Sequence, residues 1–566
     1  MAIYLDSHRG SDVNPGTREA PLRTFDALPE LAGPQTVYVR GRFARRRGLA
    51  LGARFAGWTF VGEGAEVLGS VPLTEARREG ERLVFDISEV EPEWPSYLRR
   101  GYNRLESRHP EVFYRDKPLR LATWPKMRHS DSDFVPVRLA GPGHIKHPGW
   151  TITDLNLEGL QPIEGRAFWS GMPDPTRKYL WTAFGDVREV DFDAGSVTLQ
   201  AGQSHPVHDE HKGEWSEAPE ISIHSLDQLT DPGEFWIEAE TALAYLILPG
   251  PHDPEETRIS VCDAPLVTLE GDGITWRGID VKQGRGDGLV VNGANCRVEE
   301  CRLNNHKREG LRVHGVRVRV TGCEITGNGY RGARCNSGPG GNNTDPGDRG
   351  NCVLQRNEIH ANGRLMARNP QLAIYGSGHI VRDNDIHTGG AALVKLGGYF
   401  VTLENNRLID GCLWCADYGA VYGMDTDPNK TPEAELKNRR YAVIRGNRFE
   451  NIRRTVPNFY TNQAIYLDHQ YTGAYIENNT FVRVQVPWRT YGSMVIRGNH
   501  CIDCLLPGGS YNRLGEHMEF VFEDNTWEGP DPVYDYATMG QGTSGLRIKG
   551  SIHRAAEDVP IETVRD

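Results

Sequence analysis

The sequence predicts an all-β fold, a right-handed parallel β-helix (solenoid) with an inserted antiparallel β subdomain, and three observations lead there. A column of asparagines recurs: Asn357, Asn384, Asn406, Asn447, Asn479, Asn499 and Asn525 each precede, two residues on, an apolar or β-prone residue such as Ile359, Leu408 or Trp527. Cys301 and Cys323 occupy the same slot, ahead of Leu303 and Ile325. The spacing is that of a coil, with 22 residues from Cys301 to Cys323 and from Asn384 to Asn406, whereas the 41 from Asn406 to Asn447 require an inserted loop. Finally, short β-prone runs follow a small residue: Ala392-Leu393-Val394-Lys395-Leu396, Ala420-Val421-Tyr422-Gly423-Met424 and Ala464-Ile465-Tyr466-Leu467-Asp468. None of these units has the apolar spacing of a helix. Buried Asn side chains stacked at the strand repeat of ~4.8 Å hydrogen-bond along the stack and to turn backbone. Two strand signals per unit, repeated, mean one supersecondary unit stacked on its copies.

Composition fits. At 566 residues the chain exceeds an ordinary globular core, but a solenoid grows by adding coils. The 64 glycines suit a turn-rich β architecture. A mean hydropathy of −0.53 and no long apolar run argue against a membrane span. The net charge of −12 disfavours nucleic acid as a partner, and a polyanionic substrate would need a locally basic groove. Met1–Gly10 has no apolar core of a signal peptide, so the expectation is a cytoplasmic protein, or a secreted or periplasmic one whose leader is absent from this chain. Ten cysteines in such a length do not make a disulfide framework, and Cys412-x-x-Cys415 and Cys501-x-x-Cys504 lie too many coils apart to share one tetrahedral metal. They read as reduced core or turn residues, and no cofactor or metal is expected.

In chain order, residues 1–71 form a cap and the first coils. Tyr4-Leu5-Asp6-Ser7, a Gly/Asn/Pro turn and Pro21–Leu28 read as strand, turn and short helix, covering the open end of the solenoid. Val37–Arg40 and Trp58–Val61 follow as first strands. Over residues 72–258 the ladder disappears and hairpin-like runs replace it, among them Leu83–Asp86, Val112–Arg115, Ser196–Leu199, Phe235–Glu238 and Ala244–Leu248. The tryptophans here read as core anchors, with a sugar-stacking platform as the alternative. Residues 259–566 carry the main ladder and its C-terminal end.

A groove emerges from the columns. Aligning first strands on Gly288, Gly310, Gly332, Ala373, Ala392, Ala420 and Ala464 places apolar residues at the next position throughout, as an interior requires. The opposite face then carries Val290, Arg312, Arg334, Tyr375, Val394, Tyr422 and Tyr466, and two residues on Asn292, His314, Asn336, Ser377, Leu396, Met424 and Asp468. Arginines, tyrosines, a histidine and an aspartate on one face point to a ligand. Lys395 falls at an inward position, which predicts a bulge or cavity there. Carboxylates gather at Asp417, Asp425, Asp427 and Asp468, beside inserted loops, and paired carboxylates suit glycoside cleavage: one protonates the leaving oxygen, the other attacks or activates water. Asp425 is the geometric partner of Asp468, one position beyond its level on the adjacent coil. Asp417 stands seven positions before that level, so it reaches the groove only if a corner folds it back.

The motifs Asp417-x-Gly419-Ala420-Val421-Tyr422 and Ala464-Ile465-Tyr466-Leu467-Asp468, with the coils Asn357-Glu358-Ile359-His360 and Asn384-Asp385-Ile386-His387, resemble the right-handed β-helix glycoside hydrolases. The pattern is most similar to glycoside hydrolase family 141, with its fucosidase and xylanase activities, and the Leu467-Asp468 turn is similar to that of β-helical β-xylosidases. The resemblance spans nearly the whole chain. It implies a carbohydrate substrate and Asp417 and Asp468 as the catalytic pair, and the groove residues Tyr422, Tyr466, Tyr375, Lys395, Arg334, Arg312 and His314, with His469 beside Asp468, are the candidates for binding it. Two alternatives stay open: a polysaccharide lyase or epimerase using Lys395, Arg312 or Arg334 on a uronate, with Asp425 and Asp427 as possible calcium ligands, and a noncatalytic carbohydrate-binding β-helix.

Overall fold

Each turn of the solenoid is set by a corner that the sequence encodes twice over. The residue before every ladder asparagine has a positive φ: Arg356, Asp383, Asn405, Gly446, Asn478, Gly498 and Asp524 precede Asn357 through Asn525. That left-handed residue bends the strand, and the following Asn satisfies the backbone the bend exposes. Asn406 Nδ2 donates to Val381 O and Asn447 Oδ1, Asn447 Nδ2 donates to Leu403 O and Asn479 Oδ1, and the pattern runs on to Asn525. All seven asparagines are buried. Cys301 and Cys323 hold the same slot, their thiols pointing at Trp276 O and Val298 O.

The computed structural model describes residues 2–88, 90, 110–126, 144–146, 151–153, 155–165, 167–172, 183–199, 220–238, 240–338, 346–366, 368–415, 417–425, 439–452, 461–469, 471–505, 509–510, 519–528, 545–549 and 552–554. Over these the protein is an all-β, right-handed parallel β-helix. Each coil has three short strands where the sequence showed two, as in Leu311–Val313, Arg319–Thr321 and Glu324–Thr326. The second strand has three to five residues and the third has three, separated only by the corner, so they read in sequence as one run. Equivalent strands pair in parallel from coil to coil, with Thr402–Glu404 on Val443–Arg445 and Arg407–Ile409 on Arg448–Glu450. Inward side chains from all three faces fill one continuous apolar core. The ten cysteines are unpaired and buried. Among the described residues no helix is long and apolar enough to cross a membrane.

At the N-terminal end Ala2–Asp6 pairs with Thr36–Arg40, and the 3-10 turn Phe25–Ala27 packs Phe25 against Phe43 and Trp276. Strand Thr59–Leu68 then pairs directly with Thr275–Lys282. The intervening chain leaves at Ser70–Pro72 and returns at Thr257–Ser260, which pair antiparallel with each other. Between them lie three sheets built almost wholly from antiparallel pairs, with Trp124 and Trp236 buried in their cores. The excursion packs back on the solenoid through Glu111 with Arg364 and through Asp116 with Lys282.

Candidate active site

The first strand of each coil builds one eleven-stranded parallel sheet, and its outward face is the groove. Backbone pairing gives the outward column as Val290, Arg312, Arg334, Ala373, Lys395, Tyr422, Tyr466 and Arg489. The column differs from the sequence alignment in two coils. Arg334 is level with Ala373, so Tyr375 moves one pair along to sit beside Asn336. Val394, expected outward, pairs with Leu372 and Val421 in the interior, and Lys395, expected inward, is level with Tyr422 in the groove. The cause is the slot that Gly332 fills one coil earlier, which Gln371 and then Leu393 occupy. The Gln371 side chain continues a second buried polar ladder, accepting from Asn362, whose own Oδ1 accepts from Asn328. Aligning on Ala373 slips the first coil by two residues and keeps Tyr375 outward, whereas aligning on Ala392 slips the second by one and exchanges the faces of Val394 and Lys395.

The downstream half of the column gathers aromatic rings and carboxylates. Tyr422 donates from its hydroxyl to Asp468 Oδ2 at 3.2 Å, and Tyr418 stacks on Tyr422 at 4.3 Å between centroids. Lys395 Nζ lies 4.0 Å from the Tyr422 ring centroid, a cation–π contact. Tyr466 meets Tyr422 edge-on at 5.4 Å. Burial and the Asp468 carboxylate push the Tyr422 hydroxyl's pKa up, so it stays a proton donor in that bond. The pKa of the Tyr466 hydroxyl is raised by burial, then by the charges of Asp468 and Asp417.

Asp417 reaches the groove through local backbone geometry. Its φ of 56° lies in the left-handed region, turning the chain just before strand Gly419–Asp425, and its side chain is 3.8 Å from Arg489. Gly419 lets the strand after the turn lie close against the next coil, because a Cβ there would lie 2.6 Å from Tyr466 Cβ. Asp468 sits inside strand Gln463–His469, not in a turn as its motif suggests, and is level with Met424. Asp425 is level with His469. The side chains of Asp425 and His469, and the whole of Asp427, lie outside the described residues.

Three cations line the approach to this cluster. Lys395 is half-buried, and its pKa is lowered to about 8 by burial, then by Arg368, with Arg331 adding and Asp468 opposing. Arg368 also hydrogen-bonds Tyr418. Arg331, Arg368, Arg489 and Tyr418 escaped the sequence reading. Arg331 and Arg368 lie outside the repeating strands, whereas Tyr418 follows Asp417 directly and was visible as part of that motif.

The upstream half is arranged otherwise. Arg312 donates to Asp287 Oδ2 at 2.6 Å and lies 3.5 Å from Glu309, while Arg334 and Arg331 reach Glu309 at 3.3 and 2.6 Å. Burial opposes the charge on Arg312, and the Asp287 bond overcomes it, raising the pKa. His314, just beyond strand Leu311–Val313, is lowered by burial and by Arg312 and Arg334. Arg312 and Arg334 are thus neutralised by Asp287 and Glu309, four or five coils from Asp468.

No family model and no curated protein matches the chain. Among solved structures, a protein described as a glycoside hydrolase aligns over 96% of this chain and 99% of its own, with a TM-score of 0.60 and 12% identity. A complex of XylC with xylose covers 98% and 83% at a TM-score of 0.41 and 10% identity. The lacto-N-biosidase of Eubacterium ramulus covers 97% and 67% at 0.33 and 10%. The likeness is one of fold: a parallel β-helix of the kind that carries carbohydrate-active enzymes.

Proposed function

We propose that this protein is a glycoside hydrolase acting on a polysaccharide or oligosaccharide, with Asp468 and Asp417 as its working carboxylates. The observation that carries the reading is the Asp468 carboxylate held by the Tyr422 hydroxyl on a face lined by Tyr418, Tyr422 and Tyr466, with Asp417 brought toward that face beside Arg489. Asp468 accepts the Tyr422 hydrogen bond and lies near Lys395, a setting that suits a nucleophile or base. Asp417 then carries the proton for the leaving oxygen. The tyrosine faces supply the apolar surface on which a sugar ring stacks. The motif resemblance to glycoside hydrolase family 141 agrees with this assignment and narrows the first substrates to fucosides and xylosides.

Elimination is the second reading, favoured by Lys395, whose pKa near 8 suits proton abstraction. A panel of aryl glycosides and polysaccharides decides between them. New reducing ends without ultraviolet absorbance mean hydrolysis, and absorbance of an unsaturated uronate means elimination.

A further inference from the structure

Net charge and groove charge have opposite signs in this molecule. The chain carries −12 overall, yet the outward column of the groove sheet holds Arg312, Arg334, Lys395 and Arg489, with Arg331 and Arg368 beside it. Asp287 and Glu309 account for the upstream arginines, including Arg331. Lys395 is different. Among the described residues no carboxylate lies within ion-pair distance of its ammonium, which rests instead on the face of Tyr422. It is half-buried and has Arg368 and Arg331 close enough to disfavour its charge. Ala373, level with it on the preceding coil, leaves no long side chain of its own between Arg334 and Lys395. A half-buried ammonium that rests on a ring face, with a guanidinium nearby and no carboxylate within ion-pair distance among the described residues, is a place that an anion can fill.

We propose that this stretch of the groove is an anion-binding subsite, with Lys395 as receptor and Arg368 beside it, and that it takes a sugar bearing a carboxylate or sulfate. The proposal rests on the hydrolase reading for the position of the scissile bond: Lys395 is one coil from Tyr422 and two from Asp468, so the charged sugar sits next to the cleaved linkage. The substrate is therefore an acidic glycan, held by a groove lysine that has no carboxylate within ion-pair distance among the described residues. Asp468 and Tyr422 face the same ammonium. Asp468 partly holds its proton in the free state, and an anion would hold it further.

The test uses the full chain carrying Asp468→Asn, so that ligands bind without turnover. Two matched ligand pairs are titrated calorimetrically: a uronate-containing oligosaccharide with its carboxyl-reduced counterpart, and a sulfated oligosaccharide with its desulfated counterpart. The acidic member of one pair should bind about ten-fold tighter or more, as a charge-assisted hydrogen bond provides, and the pair that discriminates identifies the anion. Lys395→Gln should abolish the preference and Lys395→Arg retain it. Binding near pH 8 should take up a proton, because the anion favours the charged form of a lysine whose pKa, about 8 with Asp468 in place, falls further when that charge is removed, and uptake should shrink as the pH falls. If Asp468→Asn does not fold, a thio-linked uronate oligosaccharide on the unsubstituted protein gives the same readout. Equal affinity within both pairs, or a preference that survives Lys395→Gln, overturns the subsite. Hydrolysis of neutral glycans without acid preference refutes the subsite alone. Acid preference through Lys395 without any bond cleavage refutes the hydrolase reading alone.

Discussion

The two halves of the groove sheet share backbone geometry and differ in how their charges are answered. Upstream, Arg312, Arg334 and Arg331 close on Asp287 and Glu309, whose side chains are 3% and 8% exposed, so every strong charge has its opposite within the protein. Downstream, Asp468 accepts from a tyrosine hydroxyl, Asp417 lies 3.8 Å from Arg489, and Lys395 rests on a ring face with no carboxylate within ion-pair distance among the described residues. A self-neutralised lattice ties coils together and has little left to offer a ligand. A half-buried cation held by a ring face, beside two carboxylates, is an arrangement chemistry can use. The contrast separates stability from function on one face, and substitutions in each half test the separation.

The largest effect is expected downstream. Asp468→Asn should lower turnover about 10³-fold on every substrate while leaving the thermal midpoint nearly unchanged, since loss of a nucleophile or base is not rescued by a better leaving group. Asp417→Asn should be comparably inactive on natural linkages but recover on aryl glycosides whose leaving group needs no proton. Steady-state kinetics on matched leaving groups check both. Near-native turnover in Asp417→Asn on an unactivated glycoside would remove it from the pair and bring Asp425 forward.

A second test compares the groove with the corner ladder, where stability should be concentrated. Asn447 makes four side-chain hydrogen bonds, to Asn406 N and Nδ2, Leu403 O and Asn479 Oδ1. Asn447→Ala leaves several buried groups unpaired and should destabilise the protein by about 3 kcal/mol, read by denaturant unfolding. Asn525, with three such bonds to Asn499 and Ile496, should cost less. Equal losses at the two positions would mean that the ladder does not act as a stack.

The same contrast explains what could be read from sequence. The Asn ladder was legible because one chemical task, satisfying a left-handed corner from coil to coil, selects one residue type at every turn. The second ladder was hidden because its slots change letter, from His306 to Asn328, Asn362 and Gln371, although the bonding is alike. That glutamine, and Leu393 in the same slot one coil on, misplaced the groove columns of two coils, and the one-residue slip at Leu393 assigned Lys395 to the wrong face. Tyr422, Tyr466 and Asp468 kept their positions because Ala420 and Ala464 do mark the true register. Asp417 could not be placed by counting residues along a straight strand, since its approach depends on one positive φ and on Gly419. Arg368 comes from a loop without repeats, and only tertiary structure brings it to Tyr418.

The smallest effect is expected from Arg312, and it reverses what its place on the face implied. An arginine free to hold a distal sugar would raise KM when removed. In the structure its guanidinium is bound to Asp287 and lies by Glu309, both nearly out of solvent. Arg312→Ala should therefore act on the fold and leave these acids short of a partner, although Asp287 keeps the Glu309 amide and Arg331 and Arg334 still reach Glu309. About 2 kcal/mol of stability should be lost, below the range for a fully buried pair because a quarter of the Arg312 side chain meets solvent. Adding Asp287→Asn should recover part of it, since the acid left behind causes much of the loss. KM and kcat should both stay within about two-fold, well short of the 1.4 kcal/mol that a ten-fold change represents. A rise in KM with unchanged stability would return Arg312 to the binding surface and extend the ligand's footprint across both halves of the groove.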